Sequence, residues 1–551
     1  MKPAGTLVTL FLIPLLGCTT ATMPGGTIYT ASTILAGPDQ TPQRGWAVYV
    51  RDGLIGDVGP RADVVRAHAG ARTVELGDAT ILPGLTDAHA HLAGLGLALE
   101  TVRLGETTSY EEVIERVRGR AITTAPGEWI LGRGWDQNDW PVKEFPTSAA
   151  LSAAVPDRPV VLNRVDGHAV LANEAAMRLA GITAATADPA GGRIIRDERG
   201  EPTGVFIDTA TDLVERFVPA ATPEQTKRRV LAAANEIVSQ GLTEIHDAGA
   251  DDGTIRAVRE LVDEKRFPIR VYVMLSDNDA LLRTWFERGP LLDHGGRLTV
   301  RAVKMYADGA LGSRGAALLE PYSDDPGNSG LMIATPDHMA DVARRAKAAR
   351  FQANTHAIGD RGVRNVIDAY ERAGVTAADR FRIEHLQVIA LSDVPRLGRA
   401  GIIASMQPTH ATSDMYWAEA RVGPERIRGA YAWQKVRNAG ARLALGSDFP
   451  VEAVNPWFGI YAAVTRKDQK DWPSGGWYPE DRLTLAEAIR GFTLDAAYAA
   501  FEEGSRGTIE RGKLADFTVV EGNPWAMNPD DLYKVRVKWT IVGGEVAYAA
   551  R

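Results

Sequence analysis

The order of apolar and polar positions divides the chain into two strand-rich ends and a long middle segment. Near the N-terminus, residues 27–31 and 47–59 alternate β-branched and polar side chains and are interrupted by Gly and Asp, as in hairpins. A similar pattern returns only near the C-terminus, for example at residues 516–520. We therefore predict a small β-sandwich that is built from both chain ends, residues 27–83 and 504–551.

Between residues 84 and 503, short apolar segments alternate with amphipathic segments of helical length. Residues 242–245 and 298–304 have the composition of buried strands, and residues 223–240 have the pattern of an amphipathic helix. This alternation predicts a parallel sheet, and the length suits eight βα units, so the predicted fold class is α/β, a (β/α)8 TIM barrel. Residues 127–222 are longer than one unit needs and predict an inserted lid region.

The start of the chain has the pattern of a bacterial lipoprotein signal. An apolar run too short to span a bilayer leads to residues 15–18, which resemble a lipobox. Cys18 is the only cysteine, so it excludes internal disulfides and suits lipidation. We predict a signal peptide at residues 1–18, a linker at 19–26 and a lipid anchor. Because Thr19 is not the aspartate of inner-membrane retention, we predict the outer membrane, facing the periplasm. An ordinary secretory signal or a buried N-terminal helix is the alternative.

Composition and charge exclude some classes of partner. The chain has 551 residues, 45% of them hydrophobic and 24% charged, as in a folded globular protein. Its net charge of −8 comes from acids and bases mixed along the sequence, without a basic block that could neutralise phosphates. This argues against nucleic acid. We expect a small-molecule substrate and a membrane contact through the lipid anchor, and a homo-oligomer stays open.

The first chemical signal is a pair of histidines two residues apart. His89 and His91 follow an apolar segment, and in extended chain residues i and i+2 point to the same side. Both imidazoles can then reach one cation, although an isolated pair of this kind fits two polar loop histidines equally well.

Further candidates end other predicted strands. His356, His385 and Asp448 each stand where a barrel strand opens onto the mouth. Together with the first pair they form a set of nitrogen and oxygen donors that suits zinc or a similar divalent ion.

Five segments resemble the amidohydrolase superfamily. They are residues 83–91, 303–314, 355–360, 383–385 and 446–450. The most similar branch is that of the N-substituted formamide deformylase-like (amidohydrolase 3) proteins, and residues 132–136 and 165–168 fit that branch as well. The resemblance covers residues 27–548.

The resemblance implies a site for two divalent ions, which we expect to be Zn or similar. It implies that His89, His91 and Asp448 hold one ion and that His356 and His385 hold the other. It further implies that Lys304, carboxylated on its amine, bridges the two. The alternative for Lys304 is a buried ion pair with Asp308 or another acid, and a single-metal site would then follow.

The activity that the resemblance implies is hydrolysis of a carbon–nitrogen bond other than a peptide bond, as in an N-acyl or N-formyl amide. Asp448 would accept a proton during attack and give it to the departing amine. The same site could instead open a lactone or cyclic imide, cleave an ester or deaminate a heterocycle. A non-catalytic, surface-anchored binding protein is the alternative from another class.

Other residues are weaker candidates. His168 could hydrogen-bond the substrate carbonyl or its oxyanion, or be a satisfied loop histidine. Arg314 could bind an anionic substrate group or form a structural salt bridge. Trp135 is predicted in an apolar pocket wall, although aromatic residues more often fill cores. His410 could line the mouth, and for His246 we favour a structural role.

Overall fold

The computed structural model describes residues 25–137, 140–164, 169–189, 192–312 and 314–550. The predicted signal peptide with Cys18, most of the linker, and His168 lie outside the described residues. Among the residues that are described, no helix combines the length and the apolarity needed to cross a bilayer.

The N-terminal segment is rich in strands. It forms seven strands and one helix: β1 (Thr27–Thr30), β2 (Thr33–Ala36), β3 (Thr41–Arg44), β4 (Trp46–Arg51), β5 (Leu54–Pro60), α1 (Arg61–Ala67), β6 (Arg72–Glu75) and β7 (Ala79–Pro83).

One strand and one helix follow before the chain leaves to form a separate sheet. The strand is β8 (Leu85–Ala90), and the helix is α2 (Leu92–Glu100). The inserted elements are β9 (Val102–Arg103), α3 (Tyr110–Thr123), β10 (Ile130–Trp135), α4 (Ser148–Ala154), β11 (Val160–Arg164), β12 (Ala169–Ala172), α5 (Glu174–Leu179), β13 (Gly192–Arg196), β14 (Pro202–Asp208) and α6 (Asp212–Glu215). Their strands form one six-stranded sheet in the order β13-β14-β12-β11-β10-β9. The sheet therefore begins before residue 127, the start that the sequence predicted for the insertion.

Strands and helices then alternate. The elements are α7 (Pro223–Ser239), β15 (Leu242–Ala250), α8 (Asp252–Asp263), β16 (Arg270–Ser276), α9 (Asp279–Arg288), β17 (Leu291–His294), β18 (Leu298–Tyr306), α10 (Pro336–Ala348), β19 (Gln352–Ala357), α11 (Asp360–Arg372), β20 (Arg382–His385), α12 (Val394–Ala400), β21 (Ile403–Met406), α13 (Pro408–Asp414), α14 (Ala418–Arg426), α15 (Trp433–Asn438), β22 (Leu443–Leu445), α16 (Pro456–Thr465), α17 (Leu485–Gly491) and α18 (Leu494–Ala499). The last strands are β23 (Phe517–Glu521), β24 (Val537–Val542) and β25 (Glu545–Ala549).

Eight parallel strands form a nearly closed barrel. Their order is β22-β21-β20-β19-β18-β16-β15-β8, and β17 adds an antiparallel hairpin at the edge of β18. Backbone hydrogen bonds join the first and last units, because Asp448 N–H donates to the His89 carbonyl (2.8 Å) and His91 N–H donates to the Phe449 carbonyl (2.9 Å). The predicted (β/α)8 fold is confirmed.

Both chain ends contribute to a separate β domain of two sheets. One sheet has the order β5-β4-β1-β6, and the other has the order β25-β24-β23-β7-β2-β3. In the second sheet the C-terminal β23 pairs antiparallel with the N-terminal β7, and Ile81 and Val519 lie opposite each other. These two residues are buried in one core with Ile34 and Phe517, so neither chain end forms this domain alone.

A buried ion pair connects the β domain to the barrel. Arg270, the first residue of β16, donates from Nε and Nη2 to both carboxylate oxygens of Asp516, at 2.8 and 2.9 Å. Both side chains are about 5% exposed or less. Because a bidentate pair fixes orientation as well as distance, this contact holds the barrel in a defined position against the β domain.

Candidate metal centre

The barrel brings all six predicted ligand residues to its mouth. His89 lies near the end of β8, Lys304 near the end of β18, His356 near the end of β19, and His385 ends β20. The His385 ring centroid lies 4.6 Å from that of His89 and 4.6 Å from that of His356. The carboxyl ends of parallel barrel strands meet at one rim, which explains why residues hundreds of positions apart converge here.

The Asp448 carboxylate lies between two groups of histidines. Its Oδ1 is 2.9 Å from His91 Nε2 and 3.6 Å from His89 Nε2. Its Oδ2 is 3.6 Å from His410 Nε2 and 4.0 Å from His385 Nδ1. One carboxylate therefore faces both halves of the site.

The donor atoms fit divalent cations. His89, His385 and Asp448 each offer one ligand atom, and these atoms lie within 4.8 Å of one another. His356 Nε2 is buried without a hydrogen-bond partner among the described residues. Buried polar atoms normally have partners, so a lone pair without one in this convergent set indicates a place for a cation.

Side-chain oxygens contact Nδ1 of two of the histidines and so select the tautomer in which Nε2 is free to bind a metal. His89 Nδ1 lies 2.5 Å from Glu384 Oε2, and His385 Nδ1 lies 2.8 Å from Gln407 Oε1. The Gln407 amide is oriented by its own donation to the Ser405 carbonyl at 3.3 Å. With its proton on Nδ1, each imidazole keeps the Nε2 lone pair for a cation.

Burial keeps these imidazoles neutral. Desolvation, together with the nearby Lys304 charge, lowers the pKa of His89 well below its ordinary value and lowers the pKa of His356 to about 3. Desolvation also lowers the pKa of His385 well below its ordinary value, and the neighbouring His356 adds to this. A neutral imidazole is the form that binds a metal.

Lys304 lies inside the site and not in an ion pair with Asp308. Its Nζ is 3.1 Å from His89 Nε2 and 4.7 Å from the centre of the Tyr306 ring. Burial lowers the pKa of Lys304 to about 8, against the opposing charges of Glu384 and Asp448. Asp308 instead accepts three backbone N–H groups, those of Ala317, Ile358 and Gly359.

Two of the convergent residues have unusual backbone conformations. His385 and Asp448 have φ values of 72° and 65°, in the left-handed region that residues other than glycine rarely adopt. Such conformations persist only where surrounding contacts hold them, and they cluster at functional sites. The Asp448 N–H bond to His89 is one such contact.

Comparison with known proteins identifies the family. The model of the amidohydrolase family matches residues 72–548. The chain belongs to the amidohydrolase family. It is 32% identical over 533 residues to the protein YtcJ of Bacillus subtilis (strain 168), covering 95% of this chain and 98% of that protein. It is 26% identical over 526 residues to N-substituted formamide deformylase of Arthrobacter pascens, covering 91% and 94%.

A solved structure supports the same assignment. The crystal structure of an uncharacterized metal-dependent hydrolase from Pyrococcus furiosus superposes on this amidohydrolase with a TM-score of 0.77 and 28% sequence identity. The superposition covers 90% of this chain and 99% of the other. The chain is therefore a hydrolase of a metal-dependent family.

For two candidate substrate residues of this amidohydrolase, Trp135 and Arg314, the structure shows the contacts of the structural alternative. Trp135 is fully buried, its Nε1–H donates to the Leu162 carbonyl at 2.8 Å, and its ring packs on Trp140 in the core of the inserted sheet. Among the described residues, these are the contacts of a side chain that fills a core. Arg314 donates to both carboxylate oxygens of Asp324, at 3.1 and 2.9 Å, so the salt-bridge alternative holds.

The Asp87 carboxylate, which was not among the residues predicted from the sequence, contacts the backbone of the amidohydrolase site. Asp87 is fully buried and accepts from the backbone N–H of His89 (3.1 Å) and from the hydroxyl (2.6 Å) and N–H of Ser447. It thereby joins the segments that carry His89 and Asp448. Its position two residues before His89, on the same face of the strand, is the signal that could have found it.

His246, for which the sequence favours a structural role, lies among buried side chains. It is fully buried, and its Nδ1 lies 2.9 Å from Nη1 of the buried Arg382, below the mouth of the barrel.

Proposed function

We propose that this amidohydrolase hydrolyses a non-peptide carbon–nitrogen bond, as in an N-formyl or N-acyl amine, with two divalent ions such as Zn. The observation that carries the proposal is the Asp448 carboxylate, whose two oxygens face two different groups of histidines at the mouth of the barrel. The likeness to a protein named N-substituted formamide deformylase adds support for the substrate class.

In this proposal His89, His91 and Asp448 hold one ion, and His356 and His385 hold the other. Bound there, divalent ions polarise a carbonyl group and lower the pKa of water. The acceptors that contact Nδ1 of His89 and His385 keep the Nε2 atoms of these ligands aimed into the site.

Lys304 is proposed to carry a carboxyl group. The neutral Nζ attacks carbon dioxide, an N–C bond forms, and one proton is lost, which leaves a carbamate anion with two oxygens. A free ammonium would repel cations at this position, 3.1 Å from His89 Nε2, whereas the carbamate can bind both ions.

Asp448 is proposed to move the proton. As the oxygen of water bonds to the carbonyl carbon, Asp448 accepts a proton from it. As the C–N bond then breaks, Asp448 gives this proton to the departing nitrogen, and the products are a carboxylic acid and an amine. An amine anion is a poor leaving group, which explains why an amide needs this transfer.

A substrate panel tests the proposed function. The purified protein is incubated with N-formyl and N-acyl amines, a lactone, a cyclic imide, an activated ester and an aminated heterocycle, with separate detection of amine, acid and ammonia. Release of acid and amine in equal amounts from the amides supports the proposal. Turnover of the other substrates without any amide hydrolysis contradicts it, and binding without turnover indicates the non-catalytic alternative.

We also propose that Cys18 carries a lipid anchor that holds the enzyme at the outer membrane, facing the periplasm. The support is the lipobox-like segment and the absence of any other cysteine in the sequence. Cys18→Ser should abolish lipid labelling and release the protein from the salt-washed membrane fraction. Unchanged membrane fractionation of the variant would show that the anchor is not at Cys18.

A further inference from the structure

His410 lies beside the candidate metal ligands but has a different environment. It is in α13, the helix that follows β21, and only 8% of its surface is exposed. Its ring stacks on that of His385 with 5.9 Å between centroids and 19° between planes. The side chain is therefore held at the inner wall of the mouth.

The two ring nitrogens of His410 have unequal surroundings. Nδ1 lies 3.0 Å from Gln387 Nε2. Nε2 is buried, has no hydrogen-bond partner among the described residues, and points to the space beside Asp448 Oδ2, which is 3.6 Å away. That distance is too long for a hydrogen bond, so Nε2 stays available to a bound molecule.

The partner of each histidine decides which nitrogen carries the proton. Carboxylate or amide oxygens face Nδ1 of His89 and His385, so their protons point away from the site. For His410 the facing group is the Gln387 amide nitrogen, which is a donor. Nδ1 of His410 then accepts, and in a neutral imidazole the proton lies on Nε2, directed into the site. His410 thus presents a donor where its neighbours present lone pairs.

We propose that His410 is a catalytic residue whose Nε2–H donates a hydrogen bond to the substrate carbonyl oxygen as that oxygen gains negative charge, with Gln387 as its positioning residue. The inference rests on the proposed function, because it assigns a role within carbonyl hydrolysis. A preorganised donor in a buried site stabilises a developing oxyanion more than the ground state, so it acts mainly on kcat. The bond formed is a hydrogen bond alone, and no proton is transferred to the oxygen.

The test compares His410→Phe with His410→Gln in the full-length protein. Phe keeps a ring to stack on His385 but has no donor, whereas Gln keeps an N–H at a similar reach. We expect His410→Phe to lose about 10²–10³-fold in kcat, as is typical for removal of one oxyanion donor, with the parent's metal content and Tm. His410→Gln should retain more activity than His410→Phe.

A series of N-formyl anilines with leaving groups of different basicity adds a specific readout. Because the donor acts on the carbonyl oxygen, the loss in His410→Phe should be the same across the series. If the loss instead follows leaving-group basicity, His410 acts on proton transfer to the amine, and the proposal is overturned. A fall in metal content in both variants would make His410 a ligand and would also overturn it.

A double-mutant cycle tests Gln387, and the Gln387→Met variant alone covers the case in which His410→Phe fails to fold. Gln387→Met removes the donor to Nδ1 and should lower kcat less than His410→Phe does, with little change in KM. The double variant should be no slower than His410→Phe alone, since Gln387 acts through His410. Additive losses, or a parent-like kcat in Gln387→Met, contradict the assignment.

The two proposals fail in different ways. All variants are measured on each carbonyl substrate that the parent hydrolyses in the panel. If the parent hydrolyses esters or lactones but no amide, the proposed function is wrong while the His410 comparison still proceeds. If the parent hydrolyses amides and His410→Phe matches it, the inference about His410 is wrong and the proposed function stands.

Discussion

At the residue scale, the position of Asp448 predicts that metal binding and proton transfer can be separated. Asp448→Asn keeps the size and one oxygen of the side chain but cannot accept a proton. Amide hydrolysis should therefore fall by roughly 10²–10⁴-fold, the usual contribution of a general acid–base, while much of the metal stays bound. Steady-state kinetics with an amide and an activated ester, at matched metal content, check this.

The ester is the internal control for this variant. Its leaving oxygen needs little protonation, so it should lose less activity than the amide does. Equal losses for both substrates would indicate damage to the metal site, and an amide rate equal to the parent's would remove Asp448 from the proton-transfer role.

The Glu384 carboxylate predicts a second effect, on affinity for the metal. Because Glu384 Oε2 accepts from His89 Nδ1 at 2.5 Å, Glu384→Gln should weaken zinc binding by roughly 10–100-fold. Competition with a chelator of known affinity measures this. Glu287→Gln, an exposed residue in α9, is the matched control and should bind zinc as the parent does. Equal affinities of the two variants would refute a role of Glu384 in ligand support.

The residues that the sequence identified and those that it missed differ in a physical way. His89, His356 and Asp448 stand at predicted strand ends, so their convergence follows from the barrel itself. Glu384 supports His89 only because β20 places it inside the barrel, and no local pattern encodes that contact. The sequence left a core and a pocket wall open for Trp135, because an aromatic residue has the same sequence pattern in both.

At the scale of elements, burial on both faces explains which strands could be predicted. In β18, Val303 and Met305 pack toward the helices, while Ala302 and Lys304 face the barrel interior, so one strand mixes both kinds of position. The continuous apolar run predicts a strand, but it does not show which side chains point into the barrel and which point toward the helices. The start of the inserted sheet was missed because β9, at Val102–Arg103, has only two residues.

Glu502, in the segment after α18, should make the stability of the protein depend on pH. Burial raises the pKa of Glu502 well above its ordinary value, against the opposing charge of Arg506, and Glu244 adds repulsion. The folded state then holds a proton that the unfolded chain loses, so stability should fall as the pH rises above the ordinary carboxyl range, roughly 4.3. Glu502→Gln mimics the protonated form and should flatten the plot of Tm against pH in that range.

Glu503, the next residue along the chain, is the matched control for Glu502. Pairing with Arg380 lowers the pKa of Glu503 despite partial burial. That stability is present above the ordinary carboxyl pKa and is lost on acidification, so Glu503→Gln should lower Tm near neutral pH and not at low pH. Parallel Tm profiles for the parent and Glu502→Gln would contradict the assignment for Glu502.

At the scale of the whole molecule, the β domain that both chain ends form contacts the barrel through a buried ion pair. The alternation of β-branched and polar residues at both chain ends predicted this domain. The Arg270–Asp516 pair that joins the domain to the barrel could not be predicted, because it depends on three-dimensional packing. Asp516→Ala leaves Arg270 buried without its carboxylate and should lower the free energy of unfolding by about 3–5 kcal/mol. Urea denaturation measures the change.

An exposed ion pair serves as the control for the buried Arg270–Asp516 pair. Asp531 contacts Lys534 at 2.7 Å with both side chains largely accessible, so Asp531→Ala should cost about 1 kcal/mol or less. If Asp516→Ala costs no more than Asp531→Ala, the buried pair does not couple the β domain to the barrel.

The central claim is that the mouth of this barrel binds divalent ions for amide hydrolysis. The most direct measurement is the rate of N-formyl amine hydrolysis by metal-depleted protein during titration with zinc. We predict no activity before addition, a rise with added zinc, and a break at about two ions per chain, the number that the proposed ligand set holds. Hydrolysis that persists unchanged after metal removal, or zinc binding that restores no amide turnover, would contradict the account.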